Sequence, residues 1–194
     1  MYTIIDNISN EIIIDNSRFV TLLYKVYNTH DIDQYLENVK KLYKDATHYC
    51  YGYIIDNKIK FSDDGEPSST AGTPIIEVLK KRKLNYVLAI VVRYFGGIKL
   101  GANGLIRAYS SSVSKCLDKS NLVMLVKGYN VNITFKYEES KNIDYLLRNI
   151  KINSKEYLEF IQYNMDIPIS FIDILENHNI KYKIMKEIYI EKRL

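Results

Sequence analysis

Cysteine is scarce in this chain, and its scarcity excludes several kinds of protein. The 194 residues contain only Cys50 and Cys116, and neither belongs to a Cys-x-x-Cys pair or to a cysteine–histidine cluster. A disulfide framework and a structural zinc site are therefore not expected. The residue types give no reason to expect another metal or a cofactor, and two free thiols fit a reducing cytosol.

Long hydrophobic runs are missing as well. No apolar stretch approaches the roughly 18 residues that a membrane helix needs. The N-terminus carries Asp6 and Glu11, where a secretory signal would be basic and then apolar. We therefore expect a cytoplasmic protein without a membrane partner. Its net charge of +4, from 27 basic and 23 acidic residues, allows a nucleic-acid partner without requiring one.

Glycine and proline are few, and most of them are concentrated in one stretch. Of 8 glycines and 3 prolines, 6 glycines and 2 prolines lie between Gly65 and Gly104. Glycine permits positive φ and close backbone approach, and proline fixes φ. This concentration indicates specifically shaped loops, and functional residues are often found on such loops.

Hydrophobic periodicity in residues 1–122 predicts one α+β domain. Strands are predicted over 11–15, 17–27, 49–55, 59–62 and 86–92, and helices over 32–43, 74–83 and 105–117. Thr73 is expected to cap the second helix, with Pro74 as its first residue. Residues 96–104 are expected to form a loop before the third helix. The inward face of that helix is expected to consist of Leu105, Ile106, Tyr109, Val113, Cys116 and Leu117.

The pattern changes near residues 119–124. The C-terminal segment is predicted to form strand, helix, two strands, helix and strand, over 128–137, 138–149, 151–166, 168–177 and 181–190. This βαββαβ order is typical of a ferredoxin-like domain. The segment has no glycine beyond Gly128 and no cluster of histidine, cysteine or acid. We therefore predict two domains, 1–122 and 123–194, the second without a chemical site of its own.

An acidic loop carries the first group of candidate site residues. Its acids and hydroxyls are Asp63, Asp64, Glu66, Ser68 and Thr70, and His48 precedes them. Paired carboxylates can transfer protons or hold Mg²⁺ with water. Acids in turns also accept hydrogen bonds from nearby backbone N–H groups, which is a purely structural role. A hydrolase is not favoured, because the chain has no Gly-x-Ser-x-Gly nucleophile elbow.

A glycine-rich loop carries the second group. Its candidates are Arg93, Gly97, Lys99, Asn103 and Arg107. Backbone N–H groups that precede a helix, together with the helix dipole, favour a phosphate ligand. The spacing fits neither a P-loop nor a dinucleotide fingerprint. A glycine turn that serves the fold alone remains the alternative.

Four motifs resemble those of the IMPACT/YigZ family. They are Ser17-Arg18-Phe19, Ala46-x-His48-x-Cys50-Tyr51, Asp63-Asp64-Gly65-Glu66-Pro67-Ser68-x-Thr70-Ala71-Gly72-x-Pro74, and the segment from Val91 to Ser110. They span the N-terminal two-thirds of the chain, and the remainder resembles the family's smaller domain. Ser69 and Asn103 stand where the family pattern has glycine. Because asparagine tolerates left-handed φ, we expect the turn at Asn103 to keep its shape.

The resemblance implies both a fold and a role. It implies an N-terminal α+β sandwich akin to domain four of elongation factor G, with a left-handed βαβ unit. It also implies a C-terminal ferredoxin-like domain akin to domain five. Eukaryotic members of the family regulate translation, so we expect a non-catalytic, translation-associated regulatory protein that binds RNA, the ribosome or a ribosome-associated protein.

Two alternatives stay open beside this expectation. The first is an enzyme acting on a phosphorylated or nucleotide-like small molecule. The glycine loop would hold its phosphate, and Asp64 and Glu66 would hold a metal ion or transfer protons. The second is a scaffold whose motifs serve folding alone. The expected ligand surface joins both loops and contains His48, Asp63, Asp64, Glu66, Ser68, Thr70, Arg93, Gly97, Lys99, Asn103 and Arg107. None of these is assigned as a catalytic residue or a metal ligand.

Overall fold

A computed structural model describes residues 1–192 of the protein. It contains two compact units, Met1–Val123 and a second unit that begins at Met124. Both combine helices with antiparallel strands, which confirms the predicted α+β class. The finer likenesses to elongation factor G domains, including the left-handed crossover, stay predictions. Within the described residues, no helix has the length and apolar character to cross a membrane.

The first unit contains six strands and three α-helices before the long strand β7. In chain order they are β1 Tyr2–Ile4, β2 Ile8–Ile14, β3 Ser17–Lys25, α1 Ile32–Leu42, β4 His48–Ile55, β5 Lys58–Ser62, α2 Gly72–Lys81, β6 Val87–Tyr94 and α3 Gly101–Leu117. Strands β2 to β6 form a sheet in the order β2–β3–β6–β4–β5, in which every neighbouring pair is antiparallel. Strands β4 and β5, predicted over 49–55 and 59–62, thus form an antiparallel hairpin.

Strand β6 lies at the centre of this sheet, between β3 and β4, and both of its faces are covered. Its residues from Val87 to Val92 are all buried, as their continuous apolar run predicts. Side chains on one face, such as Val91, pack in a cluster with α2 and α3. Side chains on the other face, such as Val92, pack in a second cluster with α1. The helices therefore cover the sheet from both sides.

Helix α3 begins earlier than predicted. It starts at Gly101 rather than at Leu105, because the polar and small residues of its first turn carry no apolar periodicity that could reveal a helix. Ile106 was expected to face inward but is 38% exposed, since it falls outside the stripe that contains Leu105 and Tyr109. The first strand, β1, was not predicted because it is only three residues long.

The second unit has the predicted order of strand, helix, two strands, helix and strand. The elements are β7 Leu122–Phe135, α4 Ser140–Leu146, β8 Ile152–Tyr157, β9 Ile161–Pro168, α5 Ile172–Asn177 and β10 Lys181–Lys192, with short 3₁₀ turns before both helices. Strand β7 begins six residues before the predicted start. Strands β9 and β10 pair with the same stretch of β7 and therefore lie on its opposite edges, and β8 pairs with β9. The order is β10–β7–β9–β8.

Alternation along these strands gives the second unit one apolar face. Val131, Ile133, Tyr163 and Met165 are buried in a cluster with residues of α4 and α5, such as Ile143. The alternate residues of the same strands point to the opposite face.

Candidate functional site

A buried ion pair joins the acidic loop to β6. Arg93 Nη1 donates to Glu66 Oε1 at 2.6 Å, and the two side chains are only 6% and 3% exposed. Tyr109, on α3, donates its hydroxyl to the same Glu66 oxygen at 2.7 Å. Arg93 Nη2 lies 3.4 Å from Ser17 Oγ, at the start of β3. Because a buried charge is stable only when it is paired, Glu66 and Arg93 depend on each other.

Strand register explains why Arg93 reaches this position. It lies opposite Phe19 on β3 and opposite His48 on β4. The guanidinium carbon lies 5.5 Å from the ring centre of Phe19 and 5.6 Å from that of Phe95, which are cation–π distances. The guanidinium is therefore fixed by two aromatic rings and by one carboxylate.

His48 forms the outer boundary of this cluster. Its Nε2 lies 3.8 Å from Glu66 Oε2, and its Nδ1 lies 2.8 Å from the backbone oxygen of Asp64. The Asp64 carboxylate in turn accepts a hydrogen bond from Tyr49 N at 2.6 Å. These contacts attach the acidic loop to the start of β4.

A buried thiol lies on the inner side of the same cluster. Cys50 donates to the backbone oxygen of Asp63 at 3.0 Å and lies 3.3 Å from the hydroxyl of Tyr109. Burial is the main reason why the pKa values of Cys50 and Tyr109 are raised, and the nearby Glu66 carboxylate raises both further. Since only the thiolate is a good nucleophile, Cys50 is chemically inert here.

Asp63 caps α2, and this differs from the predicted cap. Its Oδ1 accepts hydrogen bonds from Ala71 N at 3.0 Å and from Gly72 N at 2.8 Å, and its Oδ2 accepts one from Ser69 N at 2.9 Å. The prediction that Thr73 caps this helix was wrong, since the helix begins at Gly72. A carboxylate eight and nine residues upstream satisfies the first donors of the helix instead.

The hydroxyl residues of the acidic loop differ in accessibility. Thr70 is buried and donates its hydroxyl to the backbone oxygen of Pro67 at 2.6 Å. Ser68 is exposed. Ser69, which stands where the family pattern has glycine, has a φ of +63°. This left-handed conformation costs a non-glycine residue about 1–2 kcal/mol.

The glycine loop begins with a close backbone approach. A Cβ on Gly96 would lie 2.0 Å from the carbonyl carbon of Asn16, so only glycine fits there. Gly96 N donates to Ser17 Oγ at 3.2 Å, and Phe95 N donates to Thr47 Oγ1 at 3.0 Å. The loop is thereby fixed against the turn between β2 and β3 and against the residue that precedes β4.

Beyond Gly96 the loop is open to solvent. We define the glycine-loop surface as seven exposed residues of the loop and of the start of α3: Phe95, Gly97, Ile98, Lys99, Asn103, Ile106 and Arg107. Phe95 and Ile98 are 47% and 48% exposed. Within residues 1–192, Lys99 and Arg107 form no ion pair. The surface therefore combines apolar side chains with two unpaired cations.

Asn103 does not adopt the conformation that was expected of it. It lies in the first turn of α3 and has no positive φ. Its position therefore does not depend on the tolerance of asparagine for left-handed φ. The loop's positive φ values lie at Gly97 and Gly101 instead, at +87° and +68°.

The predicted site residues other than the exposed Ser68 thus fall into two groups. The first is a hydrogen-bonded cluster of His48, Asp63, Asp64, Glu66, Thr70 and Arg93, of which Glu66, Thr70 and Arg93 are buried, and the second, on the glycine-loop surface, consists of Gly97, Lys99, Asn103 and Arg107. Across residues 1–192, no hydrogen bond or ion pair joins these two groups directly. Ser17 provides the indirect link, since its hydroxyl contacts both Arg93 and Gly96. A ligand-binding role for either group stays a prediction.

Three members of the cluster were not among the predicted site residues: Ser17, Cys50 and Tyr109. Ser17 and Cys50 occur in the family motifs, and Tyr109 lies on the predicted inward face of its helix. Ser17 contacts Arg93 across 76 positions of chain, and Cys50 contacts Tyr109 across 59. Local spacing therefore contained no signal for them. No group of three or more histidine, cysteine or acidic residues within 1–192 is arranged to hold a metal ion.

The first unit also carries the defining domain of a family. Residues 15–117 match the model of the Impact N-terminal domain, which is more than half of the chain. The chain therefore belongs to the IMPACT family, as its motifs indicated.

Two curated relatives support this assignment. The chain is 41% identical over 172 residues to IMPACT family member YvyE of Bacillus subtilis, covering 84% of this chain and 78% of that one. It is 30% identical over 162 residues to IMPACT family member YigZ of Escherichia coli, covering 80% and 79%. A crystal structure described as that of a hypothetical protein superposes with a TM-score of 0.67 at 25% identity, over 95% of this chain and 97% of that one. The fold is therefore shared over nearly the whole chain.

Proposed function

We propose that this IMPACT family member is a non-catalytic, translation-associated binding protein whose glycine-loop surface contacts RNA. One observation carries the proposal: Asp63 and Glu66 are engaged in hydrogen bonds within the fold, whereas the cations Lys99 and Arg107 are exposed and unpaired within residues 1–192. The family resemblance connects the protein with translation, and RNA is the abundant anionic partner there.

The acidic loop supports a structural role better than a catalytic one. Asp63 accepts three backbone hydrogen bonds, and Glu66 is buried against Arg93 and Tyr109. A general acid or base must reach its substrate within hydrogen-bond distance, and the buried Glu66 carboxylate does not face solvent. Asp64 is exposed, so the enzyme alternative keeps only one of the two carboxylates on which it relies and is not favoured.

The glycine-loop surface has the chemistry that RNA recognition uses. Lysine and arginine bind phosphate oxygens, and each such contact releases counterions. Unpaired bases stack on aromatic rings and on guanidinium planes, for which Phe95 and Arg107 are available. The free backbone N–H groups at the start of α3 add a preference for anions.

Cosedimentation with ribosomes and with structured ribosomal RNA tests the proposal. The full chain is compared with Lys99→Ala/Arg107→Ala at about 50 and 200 mM salt. Binding by the native chain should fall steeply with salt, and the double variant should bind weakly at both concentrations. Lys58→Ala/Lys60→Ala is the matched control, because it removes the same charge from exposed positions on the edge strand β5.

The outcomes separate the candidate partners. Loss of binding in the glycine-loop variant alone supports the proposal. Undetectable binding by the native chain at low salt, or equal loss in the control variant, overturns it. Ribosome binding that persists without a salt dependence, while purified RNA is not bound, would identify a ribosomal protein as the partner instead.

A further inference from the structure

The open face of the second unit carries polar residues in ordered rows. The helices α4 and α5 pack against the other face of its sheet. Strand register places two rows across the open face: Lys183–Asn132–Asn164–Ser154 and Lys181–Thr134–Gln162–Glu156. Each row therefore runs from a lysine on β10, through amides or a hydroxyl on β7 and β9, to β8.

Hydrogen bonds within the face hold part of it rigid and leave part of it free. The amides of Asn130 and Asn164 donate to each other's oxygens at 2.9 Å, and Asn130 also donates to Asp166 at 2.6 Å. Asn164 further donates to Asn132 Oδ1 at 2.6 Å. No hydrogen bond within residues 1–192 uses the Asn132 amide nitrogen or either end of the Gln162 amide. These groups remain available to a ligand.

Two shallow depressions lie side by side on this face, and both are lined by Asn132 and Gln162. The first, of about 190 Å³, extends towards Ser154 and Glu156 on β8. The second, of about 400 Å³, extends towards Lys181 and Lys183 on β10. The free amide groups thus lie where the two depressions meet.

Charge is distributed unevenly across the face. Lys181 and Lys183 are exposed and form no ion pair within residues 1–192, and Lys186, opposite Asn130, extends the cationic edge along β10. The far edge carries Glu156 instead, and the one carboxylate on β9 in this face, Asp166, accepts hydrogen bonds from Asn130 and Asn153. Residues two apart on a strand are about 6.6 Å apart, so the lysines form a line of separate cations.

We infer that this face binds single-stranded nucleic acid, with the phosphates along the lysines of β10 and the bases over the amides of β7 and β9. Lysines neutralise phosphate, and asparagine and glutamine amides present paired donors and acceptors to base edges. The acidic edge at Glu156 favours the orientation in which the phosphates lie along β10, because its carboxylate repels phosphates and not bases.

Other ligands fit the face less well. A protein partner would need aromatic or apolar anchors to supply most of its binding energy, and the two rows contain none. A duplex keeps its bases paired and so cannot lay them over Gln162 and Asn132. Tyr163 and Tyr182 also line the depressions, but both pack in the cluster on the other face of the sheet. Stacking therefore contributes little, and hydrogen bonds and charge should dominate binding.

Fluorescence anisotropy with labelled single-stranded oligonucleotides, as ribose and as deoxyribose forms, tests this inference on the full chain. Lys181→Ala/Lys183→Ala should weaken binding and reduce the slope of log K against log salt by about 1.4, or about 0.7 for each lost phosphate contact. Gln162→Ala should weaken binding several-fold with an unchanged slope, because it removes base contacts and no charge. Lys141→Ala/Lys151→Ala removes equal charge elsewhere in the unit and should change the slope little.

The inference is overturned if the β10 double variant keeps the native slope, if Gln162→Ala binds as tightly as the native chain, or if a duplex of the same length binds equally well. Equal binding of both sugars supports recognition through bases and phosphates, and a preference for ribose supports added contacts to the 2′-hydroxyl. The Lys99→Ala/Arg107→Ala variant separates this surface from the glycine-loop surface. If it alone loses ribosome binding while no β10 or Gln162 variant affects the oligonucleotides, the proposed function stands and this inference fails.

Discussion

At the scale of single residues, the unusual feature is a charge pair placed in the core. Glu66 and Arg93 are separated by 27 positions in the chain, yet they share one hydrogen bond in a site almost closed to water. Tyr109 donates a hydrogen bond to Glu66, and Ser17 contacts Arg93, so both residues help to enclose the pair. The buried pair therefore contributes to a unique arrangement of the acidic loop against β6.

Removing one charge from this pair should be costly. In Glu66→Gln the guanidinium of Arg93 remains buried without a counter-charge, and the free energy of unfolding should fall by about 3 kcal/mol. Urea denaturation followed by circular dichroism measures the change. Glu66→Gln/Arg93→Met should lose less stability than the sum of the two single variants, because the pair is removed together. Additive losses would show that the pair is not coupled in the folded state.

At the scale of elements, the acidic loop acts as a cap for α2. The first donors of the helix are satisfied by Asp63, which lies at the beginning of the loop, rather than by a residue next to the helix. The loop and the helix should therefore be ordered together. Asp64 accepts one backbone hydrogen bond, from Tyr49, whereas Asp63 accepts three. We therefore expect Asp63 to stabilise the loop and the helix more than Asp64 does.

Replacing the capping acid should loosen the start of α2. Asp63→Ala leaves three backbone N–H groups without an acceptor and should cost about 1–2 kcal/mol, as lost caps do. Hydrogen exchange at Ser69, Ala71 and Gly72 should accelerate. Asp64→Ala is the matched control and should leave exchange at these three amides near the native rate. Equal acceleration in both variants would contradict a specific capping role for Asp63.

Sequence patterns predicted the elements of this fold where the signal is local. The central strand β6 was predictable because six successive apolar residues favour burial on both faces. The start of α3 was not, because Gly101 to Gly104 carries no apolar stripe, and neither was the cap at Asp63, which acts across eight residues. The Glu66–Arg93 pair was invisible as a contact, although both residues were recognised as candidates from their motifs.

The open face of the second unit could not be predicted from local sequence patterns either. Its residues are ordinary asparagine, glutamine, threonine and lysine, and no cluster of chemically special residues marks them in the chain. Only strand register brings Lys183 beside Asn132, and Gln162 beside Thr134. The expectation that this unit has no chemical site of its own was drawn from residue types, which say nothing about register.

At the scale of the whole molecule, the question is whether the amount of charge or its location governs binding. The net charge of +4 is small, and a diffuse positive field alone would give weak, sequence-independent attraction. Both proposed surfaces instead depend on pairs of exposed cations in defined places. Two quadruple variants with the same formal charge separate these explanations.

The first quadruple variant removes the cations of both surfaces: Lys99→Ala, Arg107→Ala, Lys181→Ala and Lys183→Ala. The second removes four exposed lysines elsewhere: Lys58→Ala, Lys60→Ala, Lys141→Ala and Lys151→Ala. Each lowers the formal net charge from +4 to 0. We expect the first to lose binding to ribosomal RNA and to single-stranded oligonucleotides at about 50 mM salt, and the second to keep most of both. Equal losses in the two variants would mean that net charge, and not the arrangement of these side chains, attracts the partner.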